Sequence, residues 1–356
     1  MALIDLNIPA GVYRNGTDLQ SMGRWHDASL IRWHDGVMRP VGGWRTRSDT
    51  ASAAALRGML TWTDNSSVRW IGVGSYNKLY IYNSSGVRFD ITPAGLTAGR
   101  EDAVSFTGFG GGPYGSYAYG VARPDTVRIQ PATSWDLEPW GEYMLACNED
   151  DGKIYQWQLN TGVVSAVLSN APTSNSGCIV TEERFLFALG AGGNPRKVQW
   201  SDRENNNLWT PAATNEAGDL ELSTSGVLMK GVSVSGQTLL LTSRDAHAAN
   251  YIGPPYVYGI ERVGTSCGLA AKQAVAVVDR GAFWMGVNSF YAYTGGAVQE
   301  LPCEVSDYVF NDINRGQISK TFAMPNSMFG EVTWFYPSSS STENNRYVTY
   351  NYTEDT

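Results

Sequence analysis

Three stretches decide the fold: "KLYIYNSSGV" at residues 78–87, "KIYQWQLNTGVV" at 153–164 and "SFYAYTGGAV" at 289–298. Each sets two aromatic residues one position apart, follows them with a short polar turn and resumes with Val. That spacing puts both rings on one face of a β-strand, and the turn returns the chain as an antiparallel partner. Looser versions of the phrase recur along the chain, and their aromatics set a period. Trp157 to Trp200 is 43 residues, Trp200 to Tyr251 is 51, Tyr251 to Tyr293 is 42 and Tyr293 to Tyr350 is 57. Units of roughly 40–50 residues holding about four short strands are what β-propeller blades show. The phrase is therefore read as the inner hairpin of a blade, with Tyr80 and Tyr82 wedged against the neighbouring blade, where each ring buries ~150–250 Å².

Working outward, "LRGMLTWTD", "VRWIGVGS", "KLYIYN" and "VRFDIT" fill residues 56–92 with short strands bounded by Asn, Ser, Gly or Asp. The reading is all-β: a β-propeller of five to six blades over residues 51–356, preceded by an extended N-terminal arm over 1–50. From Tyr82 to Trp157 is 75 residues, too long for one blade, so a degenerate blade or a Gly/Tyr-rich insertion is expected at about 100–135, around "FTGFGGGPYGSYAYGVARP". The last unit breaks off at "NYTEDT", where a turn is expected to lead into another strand. The edge left open there calls for cover by further chain or by a partner.

Composition limits the function classes. Charged residues make up 17% of the 356 residues and there are 39 glycines, against usual levels of about 25% charged and about 7% Gly. Such a chain is rich in turns and poor in long solvated helices. A formal net charge of −8 gives the chain as a whole no electrostatic reason to seek phosphate backbones. Cys147, Cys178, Cys267 and Cys303 lie far apart with no C-x-x-C pair, which excludes a zinc finger or thioredoxin-like site and leaves reduced thiols packed as small hydrophobes. The opening residues have neither a basic start nor an apolar core, and no run of eighteen apolar residues occurs. Neither a secretion signal nor a membrane span is expected, and synthesis in the cytosol follows.

The candidate motifs are mostly explained by local chemistry. Gly110, Gly112 and Gly115 spell G-x-G-x-x-G, but Pro113 and the interleaved tyrosines read as a loop, not as the strand-to-helix turn that a dinucleotide needs, so no cofactor is expected. Phe109, Tyr114, Tyr117 and Tyr119 are read instead as a projecting aromatic loop that touches a partner, DNA or membrane. His26 and His34 each precede an aspartate in "RWHDASLIRWHDG". Adjacent residues on an extended segment point in opposite directions, so Asp27 and Asp35 do not converge with them on one ion without a turn, and no metal is expected. Asp150 and Asp151 sit in a hairpin turn, and no Ser-His-Asp or Cys-His arrangement can be assembled from three histidines so placed. The sharper signal is in the arm. Arg14, Arg24, Trp25, Arg32, Trp33, Arg39 and Trp44 concentrate the two residue types that dominate interface hot spots.

Two segments taken together, "GVYRNGTDLQSMGRWHDASLIRWHDGVMRPVGGWR" at 11–45 and "VQWSDRENNNLWTPAATNEAGDLEL" at 198–222, resemble structural proteins of short-tailed bacteriophages, the tail nozzle or tail tubular protein B-like group. The resemblance implies a non-enzymatic virion tail protein, assembled in the host cytoplasm as a homo-oligomeric ring, commonly a hexamer, below the portal or adaptor ring. Genomic DNA would pass through its channel without specific binding, and the resemblance adds tail fibres to the expected partners. The alternative from a different class is a receptor- or glycan-binding, lectin-like propeller that uses exposed Trp and Tyr to stack on sugars.

Overall fold

The computed structural model describes residues 8–17, 19–105 and 129–356. The protein is a six-bladed β-propeller. Blade 1 is built from Leu56–Thr63, Arg69–Ser75, Leu79–Tyr82 and Arg88–Asp90; blade 2 from Trp135–Trp140, Tyr143–Asn148, Ile154–Trp157 and Ala166–Val167; blade 3 from Gly177–Val180, Leu186–Leu189, Lys197–Trp200 and Gly218–Glu221. Blade 4 uses Leu228–Val234, Gln237–Thr242, Asp245–Gly253 and Val257–Thr265; blade 5 uses Val275–Val278, Gly281–Met285, Phe290–Thr294 and Ala297–Leu301. Blade 6 has three strands, Phe322–Asn326, Glu331–Tyr336 and Arg346–Asn351, and its last strand has no outer partner among the described residues. Each sheet is an antiparallel meander in chain order. Among the described residues the one α-helix is the short Ser306–Asp312, and no helix is long and apolar enough to cross a membrane.

The first strands of successive blades lie side by side and are therefore innermost. This corrects the place assigned to the repeated phrase: Leu79–Tyr82 and Arg88–Asp90 are the third and fourth strands of blade 1, the outer hairpin. The period itself marks equivalent positions, since Trp157, Trp200, Tyr251, Tyr293 and Tyr350 all fall in third strands. Between blades 1 and 2, Val104–Ser105 pairs with Ile129–Gln130, and Trp135 opens the inner strand of blade 2.

Packing follows the two-residue alternation. Leu79 and Ile81 face blade 2, where they join Trp62, Trp135, Met144, Tyr155 and Trp157 in one apolar cluster. Tyr80 and Tyr82 point the other way, with Val73, so the wedge in this blade is aliphatic and the tyrosines lie on the opposite face. In blade 2 the roles reverse: Tyr155 and Trp157 face blade 1, with Trp157 edge-on to Trp62 and Trp70, while Ile154 faces blade 3. Further clusters fill the seam between blades 3 and 4, around Phe185, Phe187, Trp200 and Tyr258, and the seams joining blades 4, 5 and 6, around Trp284, Phe290 and Trp334. Cys147, Cys178 and Cys267 are buried in these seams as free thiols.

The seam between blades 6 and 1 is different. No apolar cluster spans it among the described residues; charged and amide side chains do. Arg57 of blade 1 pairs with Glu343 of the loop in blade 6 at 2.7 Å. Lys320, whose side chain is fully buried, pairs with the same Glu343 at 2.7 Å and with Asp102 at 2.5 Å. Gln317 exchanges both side-chain hydrogen bonds with the backbone of Ala103.

Candidate assembly site on the N-terminal arm

The arm is folded over blade 6 and is not extended throughout. Ile31–His34 and Val37–Pro40 form a hairpin whose turn places Asp35 and Gly36 at φ 54° and 68°, the left-handed pair that a two-residue connection requires. The backbone N–H groups of Asp35 and Gly36 donate to the Glu354 carboxylate, which clasps the hairpin tip to the end of blade 6. Along the hairpin, Arg32 pairs with Glu331 at 3.0 Å and lies over the Phe329 ring at 3.6 Å. Asn351 donates its side-chain amide to the Trp33 carbonyl, and the Leu30 N–H donates to the Tyr347 hydroxyl. Nearer the N-terminus, Arg14 sits over Tyr308 at 3.9 Å, Arg24 pairs with Glu304, and the Trp25 carbonyl accepts from the Tyr13 N–H.

Of the seven arm residues singled out in the sequence, Arg14, Arg24, Arg32 and Trp33 thus meet the body of the same chain, and Trp25 is partly buried within the arm. Arg39 is exposed on the outer strand of the hairpin, and Trp44 is 82% exposed. They are not alone. Leu19, Met22, Leu30, Val37 and Met38 are also exposed, so the arm shows solvent several apolar side chains beside exposed arginine. Between arm and blade lies a groove of about 710 Å³ lined by Arg14, Arg32, Tyr308, Tyr336, Arg346 and Tyr350 among others. The projecting-loop residues Phe109, Tyr114, Tyr117 and Tyr119, and the glycines between them, lie outside the described residues.

The hairpin turn brings His34 and Asp35 together with Glu354. His34, Asp35 and Glu354 bring ligand atoms within 4.8 Å of one another. The Glu354 oxygens already receive the backbone N–H groups of the turn, which accounts for the convergence as a clasp.

A second polar cluster, which sequence reasoning missed, crosses the centre of the propeller. Lys230, on the inner strand of blade 4, reaches past blade 3 to Asp136 on the inner strand of blade 2 at 2.6 Å. Lys272, just before blade 5, pairs with Glu149 at 2.5 Å and donates to the Ser176 carbonyl; Gln273 beside it donates to the Trp135 carbonyl at 2.8 Å. Burial depresses the Lys230 ammonium, but Asp136 and Glu138 outweigh it and hold its pKa above the ordinary value. The second oxygen of Asp136 has no hydrogen-bond partner among the described residues and faces Gly177, where a Cβ would lie 2.1 Å away, so only glycine fits opposite it. The available signal was a single lysine in "LMKGVSV" and two acids in "WDLEPW", charges placed inside otherwise apolar strands.

Burial pushes the Glu138 carboxyl up to about 7, against the pull of Lys230. A folded-state pKa above the ordinary 4.5 means that the folded protein holds this proton more tightly than the unfolded chain. The contribution of Glu138 to stability is full below pH 4.5 and is lost as pH rises through about 7. Urea unfolding between pH 4.5 and 8 is expected to show this fall in wild type and a flatter profile in Glu138→Gln; parallel profiles would exclude Glu138 as the source.

No protein-family model matches the chain, and no curated protein matches it. Among solved structures it is similar to the extracellular domain of the putative hybrid two-component system BT4673 from B. thetaiotaomicron, at 11% identity and a TM-score of 0.41 over 83% of this chain; it spans 38% of that chain's length. It is also similar to a streptogramin B lyase, at 10% identity and TM-score 0.41, covering 81% of this chain and 78% of that one. Virginiamycin B lyase from Staphylococcus aureus aligns at 9% identity and TM-score 0.41, covering 83% of both chains.

Proposed function

We propose that this protein is a non-enzymatic structural subunit of a short-tailed phage virion, a tail nozzle whose copies form a ring in the tail, around a passage for DNA and against a portal or adaptor ring. The observation that carries the reading is the concentration of exposed Leu, Met, Val, Trp and Arg side chains in residues 19–44, on an element that contributes no residue to any of the apolar clusters of the propeller. Exposed apolar and basic side chains concentrated in so short a segment favour contact with another protein. The arm resemblance to the tail nozzle group supplies the class of assembly. A lectin-like reading draws on the tyrosine-lined groove, but the Tyr308 ring is already covered by Arg14 and lies beside Arg346, and it has little face left for a sugar.

Deleting residues 1–45 tests the reading. The truncated protein is expected to keep its far-ultraviolet circular dichroism and an unfolding midpoint close to wild type, and to lose the ring-shaped oligomer seen for the full chain by size exclusion with light scattering and by electron microscopy. A full chain that stays monomeric at high concentration and binds selected glycans on an array would replace the nozzle with the lectin.

A further inference from the structure

The way the arm is tethered bears on how a ring would be joined. Residues 47–51 are pinned to the outer hairpin of blade 1: the Asp49 N–H donates to the Gly86 carbonyl, the Tyr82 hydroxyl to the Thr50 carbonyl and the Arg88 guanidinium to the Ala51 carbonyl. Residues 30–41 belong to the hairpin, closed by the bond from Val41 N–H to the Leu30 carbonyl. Between these two anchors runs Gly42–Gly43–Trp44–Arg45–Thr46. It is exposed, with nothing within 4 Å of where a Cβ on either glycine would lie. The arm therefore leaves the rim of blade 1 through a free two-glycine hinge and lands on the rim of blade 6.

What holds it there is a set of separable contacts: ion pairs to Glu304 and Glu331, rings under Arg14 and Arg32, the Glu354 clasp on the hairpin tip, bonds from the Arg14 and Asn15 N–H groups to the Glu304 carbonyl, a bond from the Leu30 N–H to the Tyr347 hydroxyl and one from the Asn351 amide to the Trp33 carbonyl. No backbone ladder joins Ile31–His34 to Arg346–Asn351, whose outer edge has no strand partner among the described residues, and the groove of about 710 Å³ lies between them. The landing site is thus self-complementary at the level of the chain: any copy offers an arm and a blade 6 that fit one another. Exchange of an identical element between protomers replaces each contact with its equal, so it costs little beyond the hinge rearrangement. In a head-to-tail ring, where the rim of blade 1 on one copy adjoins the rim of blade 6 on the next, the five-residue hinge spans up to ~17 Å.

We infer that the occupant of the blade 6 site in the assembled ring is the arm of a neighbouring copy of this chain, so that the subunits are joined by arm exchange. This rests on the ring reading above. The test uses the full chain carrying Asn15→Cys and Ser306→Cys, positions whose side chains lie 3.3 Å apart, oxidised after assembly and run on denaturing non-reducing gels, with each single variant as control. Exchange predicts covalent dimers and a ladder up to the closed ring. An assembled ring that yields only internally crosslinked single chains, or no crosslink from the pair, overturns exchange and leaves the ring intact. A protein that never assembles overturns both.

A mixing experiment reads the same point without new thiols. Arg32→Glu and Glu331→Arg are each expected to assemble poorly, because the Arg32–Glu331 pair they break is largely buried. Mixed one to one, they recover assembly under exchange, since every interface then joins opposite charges. Without exchange, mixing changes nothing.

Discussion

Trp135→Ala is expected to lower the free energy of unfolding by about 4 kcal/mol, within the range for removing a fully buried large aromatic side chain. Trp135 opens the inner strand of blade 2, is 0% exposed, and donates its indole N–H to the Ser75 carbonyl of blade 1 at 2.8 Å. Its removal leaves a cavity at the seam of blades 1 and 2 and an unsatisfied carbonyl. Urea unfolding followed by circular dichroism checks this, with Trp44→Ala as the contrast: the exposed indole should cost under about 0.5 kcal/mol. Equal effects from the two tryptophans would mean that the burial described for blade 2 is wrong.

Asp136→Ala is expected to destabilise by about 3 kcal/mol, the lower end for breaking a buried ion pair, because Glu138 remains near the stranded ammonium. The reason is the position of Lys230. Its side chain is 11% exposed and reaches across the centre to a carboxylate that is 1% exposed. Without Asp136 the lysine must either remain charged with a weaker partner or give up its proton. The double variant Asp136→Leu with Lys230→Met should recover most of the loss, since an apolar pair of similar size carries no desolvation penalty. If the single substitution is silent, the central pair does not bear on stability.

The propeller was legible in the sequence because one side-chain period survives in every blade. Trp157, Trp200, Tyr251, Tyr293 and Tyr350 mark equivalent third strands, and a spacing of two fixes each as a strand. Whether such a strand is inner or outer was not legible. The middle strands of a blade are buried on both faces, as Leu79–Tyr82 is throughout, so alternation carries no information about distance from the axis. The composition of the arm pointed to contact chemistry, but the partners of Arg24 and Arg32 within the chain, Glu304 and Glu331, lie 280 and 299 residues away, and nothing local couples them. The central charges were hidden for the same reason: Lys230 and Asp136 are 94 residues apart and meet only once the blades have closed into a circle.

The polar seam between blades 6 and 1 makes this circle a split washer. Wherever hydrocarbon fills a seam, dissolved ions have nothing to act on; where Arg57, Lys320, Asp102 and Glu343 close it, counterions can compete at the exposed carboxylates. Ionic strength therefore acts on the closure at this seam, where the carboxylates of Asp102 and Glu343 are about half exposed. The arm crosses that same gap from the rim of blade 1 to blade 6, and its own contacts are a second polar fastening of the washer.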